Sequence, residues 1–159
     1  MNPTAAHAPT ASATPAASEL GLTLLRGALG LMWIAHALLK LLVFTLPGTA
    51  RFFASVGFPG WMAYPVFVLE LAGGIALLLG IYARQAALLL VPVMAVAAWV
   101  HLANGWVHTS AGGGWEYPVF LVVASLALWL GGDGAWALRP RGGPAPRARS
   151  AGPSLPPAP

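Results

Sequence analysis

Four apolar runs, each close to the length of a bilayer-spanning helix, divide the chain. They cover residues 20–46, 61–80, 85–103 and 117–136. A spanning helix needs about 20 predominantly apolar residues. The first run is interrupted by Arg26, His36 and Lys40 and is ended by Pro47 and Gly48. The second carries a single charge, Glu70, and the third carries His101 and an internal Pro92. The fourth is uncharged as far as Gly132, with Asp133 at its exit and Trp136 as an interfacial anchor. This pattern predicts an all-α fold, an integral membrane four-helix bundle over residues 20–138. The flanking segments 1–19 and 139–159 are built from Ala, Pro, Ser, Thr, Gly and Arg with almost no large apolar side chains. Such segments bury too little surface to offset chain entropy and are expected to be disordered tails. The first lacks the basic start of a signal peptide, so no cleavage is expected.

Composition strengthens the membrane reading. The 159 residues are 58% hydrophobic and only 8% charged, and the mean hydropathy is +0.74. Soluble domains carry about 25% charged residues. The absence of cysteine excludes disulfides, thiolate metal sites, iron–sulfur clusters and cysteine redox relays. No metal site is expected. P-loop, dinucleotide-binding, HExxH and GxSxG signatures are also missing, and nothing indicates nucleic-acid recognition.

The net charge of +4 acts as a topology signal. With four spans, the tails and the second inter-helix loop share one side, and that side holds Arg84, Arg139, Arg141, Arg147 and Arg149. The opposite side has Arg51 alone. The positive-inside rule then puts both termini in the cytoplasm and turns loops 47–60 and 104–116 outward. Seven Arg against one Lys, with abundant Ala, Gly and Pro, fit a bacterial source of high genomic GC. The expected location is the bacterial cytoplasmic (inner) membrane. A short repeat, Tyr64-Pro-Val-Phe67 and Tyr117-Pro-Val-Phe120, opens the second and fourth runs and suggests a parallel pair of hairpins.

Ionisable groups inside a bilayer are costly, about 2.5–3.5 kcal/mol for Arg, Lys or Asp at a helix centre on insertion scales, so they are expected to face one another within the bundle. On an ideal helix His36 lies roughly −80° from Arg26, and Lys40 roughly −40°, all on one face. Lys40 and Glu70 fall at similar depth on consecutive antiparallel helices, roughly 10 Å and 13 Å from their outer ends. A Lys40–Glu70 pair is predicted, with His36 close by. Gly73 and Gly74 would admit a neighbouring backbone. His101 and Glu116, which follows the flexible Ala111-Gly-Gly-Gly114, are candidates to reach the same cavity from above. Each residue also has a plainer role. Lys40 and Glu70 form a structural pair that fixes packing. Arg26 either reaches Glu70 from below or snorkels to the interface. His101 is a boundary residue, Glu116 caps the fourth helix, and the two histidines are alternatively axial ligands of a b-type haem.

The ordered set of residues resembles the DoxX family of small bacterial and archaeal membrane proteins. It comprises Arg26-Gly-Ala-Leu-Gly30, His36 with Lys40, Leu69-Glu-Leu-Ala-Gly-Gly74, and Leu77-Leu-Leu-Gly80. Arg84-Gln-Ala-Ala-Leu88, His101 with Asn104-Gly105, and Gly114-Trp-Glu-Tyr-Pro118 complete it. The likeness runs from Arg26 to about Ala137. Ala37 stands where many relatives have Gly, and Ala137-Leu138-Arg139 replaces a usual Ser-Leu-Asp; neither departure touches the polar set. The resemblance implies a four-helix membrane fold and an association with redox processes, including quinone-coupled sulfur oxidation, terminal oxidase complexes and oxidative-stress complexes.

Three functions remain open on this reading. The first is a redox-associated subunit of a membrane oxidoreductase that binds quinone in a cavity formed by Arg26, His36, Lys40, Glu70, His101 and Glu116. Lys40, Glu70 and His36 would carry the proton chemistry, and redox partner proteins would supply electrons. The second is a small transporter or proton path, for which four spans imply a homo-oligomer. The third is a non-catalytic scaffold that anchors redox enzymes to the lipid bilayer.

Overall fold

A computed structural model describes residues 14–138. The expectations for residues 1–13 and 139–159, including the four tail arginines of the topology argument, lie outside the described residues. The fold is all-helical and is built from α1 (Ala17–Leu38), α2 (Leu46–Ser55), α3 (Ala63–Leu79), α4 (Ala83–His101) and α5 (Glu116–Gly131). With the turns continuous with them, α1, α3 and α4 are long and apolar enough to cross a membrane. The apolar α5 has 16 residues, roughly 24 Å of rise against a hydrocarbon core of about 30 Å. We call the end that carries α2 and the α4–α5 loop distal, and the other end proximal.

Local chemistry explains where the helices begin and end. The first starts at Ala17, three residues before the expected Leu20, because the Glu19 side chain reaches back to the Ala16 N–H at 3.2 Å and caps it. The Lys40 segment does not continue as an α-helix to Leu46 as the apolar run suggests. Residues Leu39–Val43 form a π-turn closed by the Phe44 N–H on the Leu39 carbonyl at 2.9 Å. The chain then reverses at Thr45 (φ 61°). The Thr45 hydroxyl accepts the Gly48 N–H at 3.2 Å and opens α2, so the expected loop 47–60 contains a helix. At the proximal end Gly80 (φ 69°) ends α3 in the left-handed region, and Tyr82 (φ 49°) starts the turn into α4. Pro65 and Pro118 both occupy the third residue of their helices, where a missing N–H costs nothing. The two Tyr-Pro-Val-Phe segments therefore sit in the same helical register, one in each hairpin.

Packing joins α1 to α3, α4 to α5, and α3 to α4. The core is Leu29, Trp33, Leu77, Leu90, Met94, Leu121 and Leu128 with small Ala neighbours, while Leu24, Leu31, Leu42, Val68, Leu89, Phe120 and Leu130 are exposed. Apolar residues on both surfaces are what a bilayer solvent demands. The α1–α3 crossing depends on glycine. A Cβ on Gly30 would lie 2.8 Å from the Leu78 backbone nitrogen, and one on Gly74 would lie 2.9 Å from the Ile34 nitrogen. The backbones meet there because neither residue has a side chain. Gly73 instead faces the Leu90 side chain of α4.

Candidate functional site

The close α1–α3 crossing brings the distal ends of both helices within side-chain reach. Arg26, Trp33 and Lys40 recur at seven-residue spacing, which keeps them within roughly 20° of one stripe on α1. Cβ atoms tilt toward a helix N-terminus, so Lys40, near the distal end, leans back into the bundle. Its Nζ lies 2.8 Å from Glu70 Oε1 and 2.6 Å from Oε2. The Glu70 side chain is 1% exposed and that of Lys40 is 17% exposed. The carboxylate is thus sealed, and access to the pair is by way of the lysine. An ammonium carries three donors, and the carboxylate oxygens take two of them.

One turn inward, the His36 Nδ1 lies 3.2 Å from the Met32 carbonyl oxygen. A carbonyl only accepts, so this contact assigns the proton to Nδ1 and leaves Nε2 to accept, or to donate once the ring is charged. The His36 ring stacks against Tyr117 of α5, with centroids 6.1 Å apart and an interplanar angle of 23°. Tyr117 links the first hairpin to the second at this depth, a role the sequence reading did not give it.

The remaining predicted residues lie elsewhere. Arg26 neither reaches Glu70 nor snorkels. It is 4% exposed and about 21 Å of helix rise from Lys40. Its Nη2 donates to the Ala135 carbonyl at 3.2 Å, and the Asp133 charge acts on the guanidinium. A Cβ on Gly80 would overlap Arg26 Nη1, so the guanidinium fills the space that this glycine leaves. His101 organises the α4–α5 loop. The two N–H groups of the Asn104 amide meet the Gly112 and Gly113 carbonyls at 3.0 and 2.9 Å, leaving His101 Nδ1 to donate to Gly113 O at 3.2 Å. Glu116 Oε1 accepts the His108 backbone N–H at 2.8 Å and faces the His108 Nδ1 at 2.6 Å. It pins the loop to the start of α5. His108 carried no periodic signal, since it lies eight residues from Glu116 in a glycine-rich loop.

An open cleft of about 640 Å³ runs along the distal half of α5. It is lined by Trp106, His108, Glu116, Tyr117, Val119, Phe120 and Val123. Among the described residues no group of three or more His, Cys, Asp or Glu side chains is placed to hold a metal ion.

A helical membrane protein with a sealed Lys–Glu pair between its first two spans is the class that fold and site define. Within that class the chain belongs to the DoxX family, whose sequence profile matches residues 21–103. It is 31% identical over 123 residues to a Bacillus subtilis (strain 168) protein named "Putative oxidoreductase CatD", and the alignment covers 77% of this chain and 87% of that relative. No solved structure matches.

Proposed function

We propose that this protein is a quinone-linked, redox-associated membrane subunit in which the Lys40–Glu70 pair and His36 hold the quinone head and handle its protons. The observation that carries the reading is the asymmetric burial of the pair. A sealed carboxylate anchors the ammonium of a side chain that is itself partly exposed. A charged donor held in a low-dielectric site suits a carbonyl acceptor. The His36 Nε2 adds a second exchangeable position within one turn. A bound quinone supplies the ring that takes up two electrons and two protons. This chain has no thiols, and the electrons come from a partner oxidoreductase. The name of the Bacillus subtilis relative supports a redox association. The same reading puts the proximal end and both termini on the cytoplasmic side of the bacterial inner membrane, following the Arg distribution.

The test is quinone content after purification in mild detergent from a quinone-replete membrane. Wild type is expected to retain quinone, and Lys40→Met, shown to be folded by its elution and helicity, is expected to lose it. Wild-type protein free of quinone and unable to take it up would overturn the reading.

A further inference from the structure

Two polar side chains in the middle of the bundle are sealed from the bilayer. Trp33 of α1 is 0% exposed and Ser125 of α5 is 1% exposed. Neither Trp33 Nε1 nor Ser125 Oγ has a hydrogen-bond partner among the described residues. Both lie on faces that form the core. Trp33 sits on the stripe between Arg26 and Lys40, and Ser125 shares the buried face of α5 with Leu121, Ala124 and Leu128. A buried N–H or O–H left unpaired is costly, and water is the common partner where the protein supplies none.

The helices direct these two groups toward each other. The His36 ring stacks on Tyr117, and a Cβ on Gly131 would press into the Leu22 side chain. The two contacts are fourteen residues apart on each helix, so α1 and α5 run antiparallel and in step. Ser125 is therefore level with Ala28, and Trp33 stands roughly 7.5 Å nearer the distal end. Cβ atoms tilt toward a helix N-terminus. That direction is proximal on α1 and distal on α5, so both side chains lean into the interval between them. A single water joining two polar atoms spans about 5.5 Å. On α3, Gly74 approaches the Ile34 nitrogen and lies one turn proximal to Glu70. The interval is thus on the proximal side of the sealed carboxylate.

We propose that Trp33 and Ser125 hold an internal water between α1 and α5 at mid-membrane. An indole only donates, whereas a hydroxyl donates and accepts. The water oxygen takes the Trp33 proton, and one of its own protons goes to Ser125 Oγ. The Leu121 carbonyl, one turn before Ser125, has a second lone pair and is the third partner. Both side chains are uncharged and closed to lipid, which suits water and neither an ion nor an acyl tail. The site puts an exchangeable polar group in the core that is independent of the distal approach through Lys40, and it uses nothing of the quinone reading.

The experiment uses the full chain with isotope-labelled indole nitrogens in nanodiscs of perdeuterated lipid. The seven tryptophans give seven indole resonances, and Trp33→Phe assigns the one that belongs to Trp33. A cross-peak between the Trp33 indole proton and water is expected in wild type at short mixing times. Ser125→Ala is expected to weaken it by about threefold or more, since the water loses one of its few partners. The same variant is expected to melt at a lower temperature, with the other indole resonances unmoved as the sign of an intact fold. Absence of the cross-peak in wild type would overturn the proposal without recourse to any variant. So would a cross-peak that keeps its full strength in Ser125→Ala. A higher melting temperature in Ser125→Ala would also overturn it, because removing a dry, unpaired hydroxyl stabilises.

Discussion

Glu70 is the residue least able to lose its partner. Its carboxylate is 1% exposed and both oxygens face Lys40 Nζ, so Lys40→Met leaves a buried charge with nothing to offset it. Removing one member of a buried pair costs about 3–5 kcal/mol, whereas replacing both with neutral groups is often close to neutral. Lys40→Met and Glu70→Gln are each expected to lower stability by about that amount, and the double variant is expected to recover most of it. Unfolding in detergent across the four proteins checks this, and additive losses would count against the pairing. Sequence reading found this pair because charge in an apolar run is conspicuous and depth along a helix is arithmetic. It missed Tyr117 and His108 because neither departs from its surroundings. Tyr117 is one of several interfacial aromatics, and His108 meets Glu116 through a loop whose path is set by glycine dihedrals.

Among the elements, the α1–α3 crossing is the one that sets the site. Gly74→Ala would push a methyl into the α1 backbone. Overpacking of this kind costs about 1–3 kcal/mol, and parting the helices would also lengthen the Lys40–Glu70 contact. Gly27, beside the same crossing, meets nothing within 4 Å of an added Cβ. Gly27→Ala is therefore expected to be neutral or to stabilise by up to about 1 kcal/mol through helix propensity. Melting temperatures and quinone content of the two variants give the comparison. The paired glycines on α3 were legible in the sequence, whereas the partner Gly30 was not, because a crossing point depends on helix rotation. The π-turn and α2 were invisible for a related reason. A π-turn leaves no trace in hydrophobic period, and Pro47 and Gly48 look like an ending when Pro47 in fact lies in the first turn of α2.

For the whole molecule, the proximal end is a lock between the first and last helices. The segment after α5 folds back so that Ala135 N–H meets the Glu19 carbonyl at 3.3 Å and Leu138 N–H meets the Leu79 carbonyl at 3.2 Å. The Thr23 hydroxyl and Arg26 both hold Ala135 O, at 3.0 and 3.2 Å. Asp133 accepts the Arg84 N–H at 3.2 Å. Arg26→Met is expected to cost about 1.5–3 kcal/mol, the worth of a hydrogen bond to a charged group. It should raise hydrogen exchange at Ala135 and Leu138 while leaving quinone content unchanged. A parallel loss of quinone would place Arg26 in the binding machinery after all.

The π-turn has a consequence for how the chain tolerates changes in length. It stores one residue more than an α-helix would between Leu39 and Phe44, with the lysine as its second residue. Deleting a residue from 41–43 would leave Arg26, Trp33 and Lys40 on their stripe. The turn would close as an α-helical one and take up the missing residue, so the chain beyond it, with the buried Thr49 of α2, would keep its place. An insertion between Arg26 and Lys40 would instead turn the lysine itself off Glu70 without altering any side chain of the pair. Related chains can therefore be one residue shorter after Lys40 and keep the site, whereas before Lys40 a single added residue removes it.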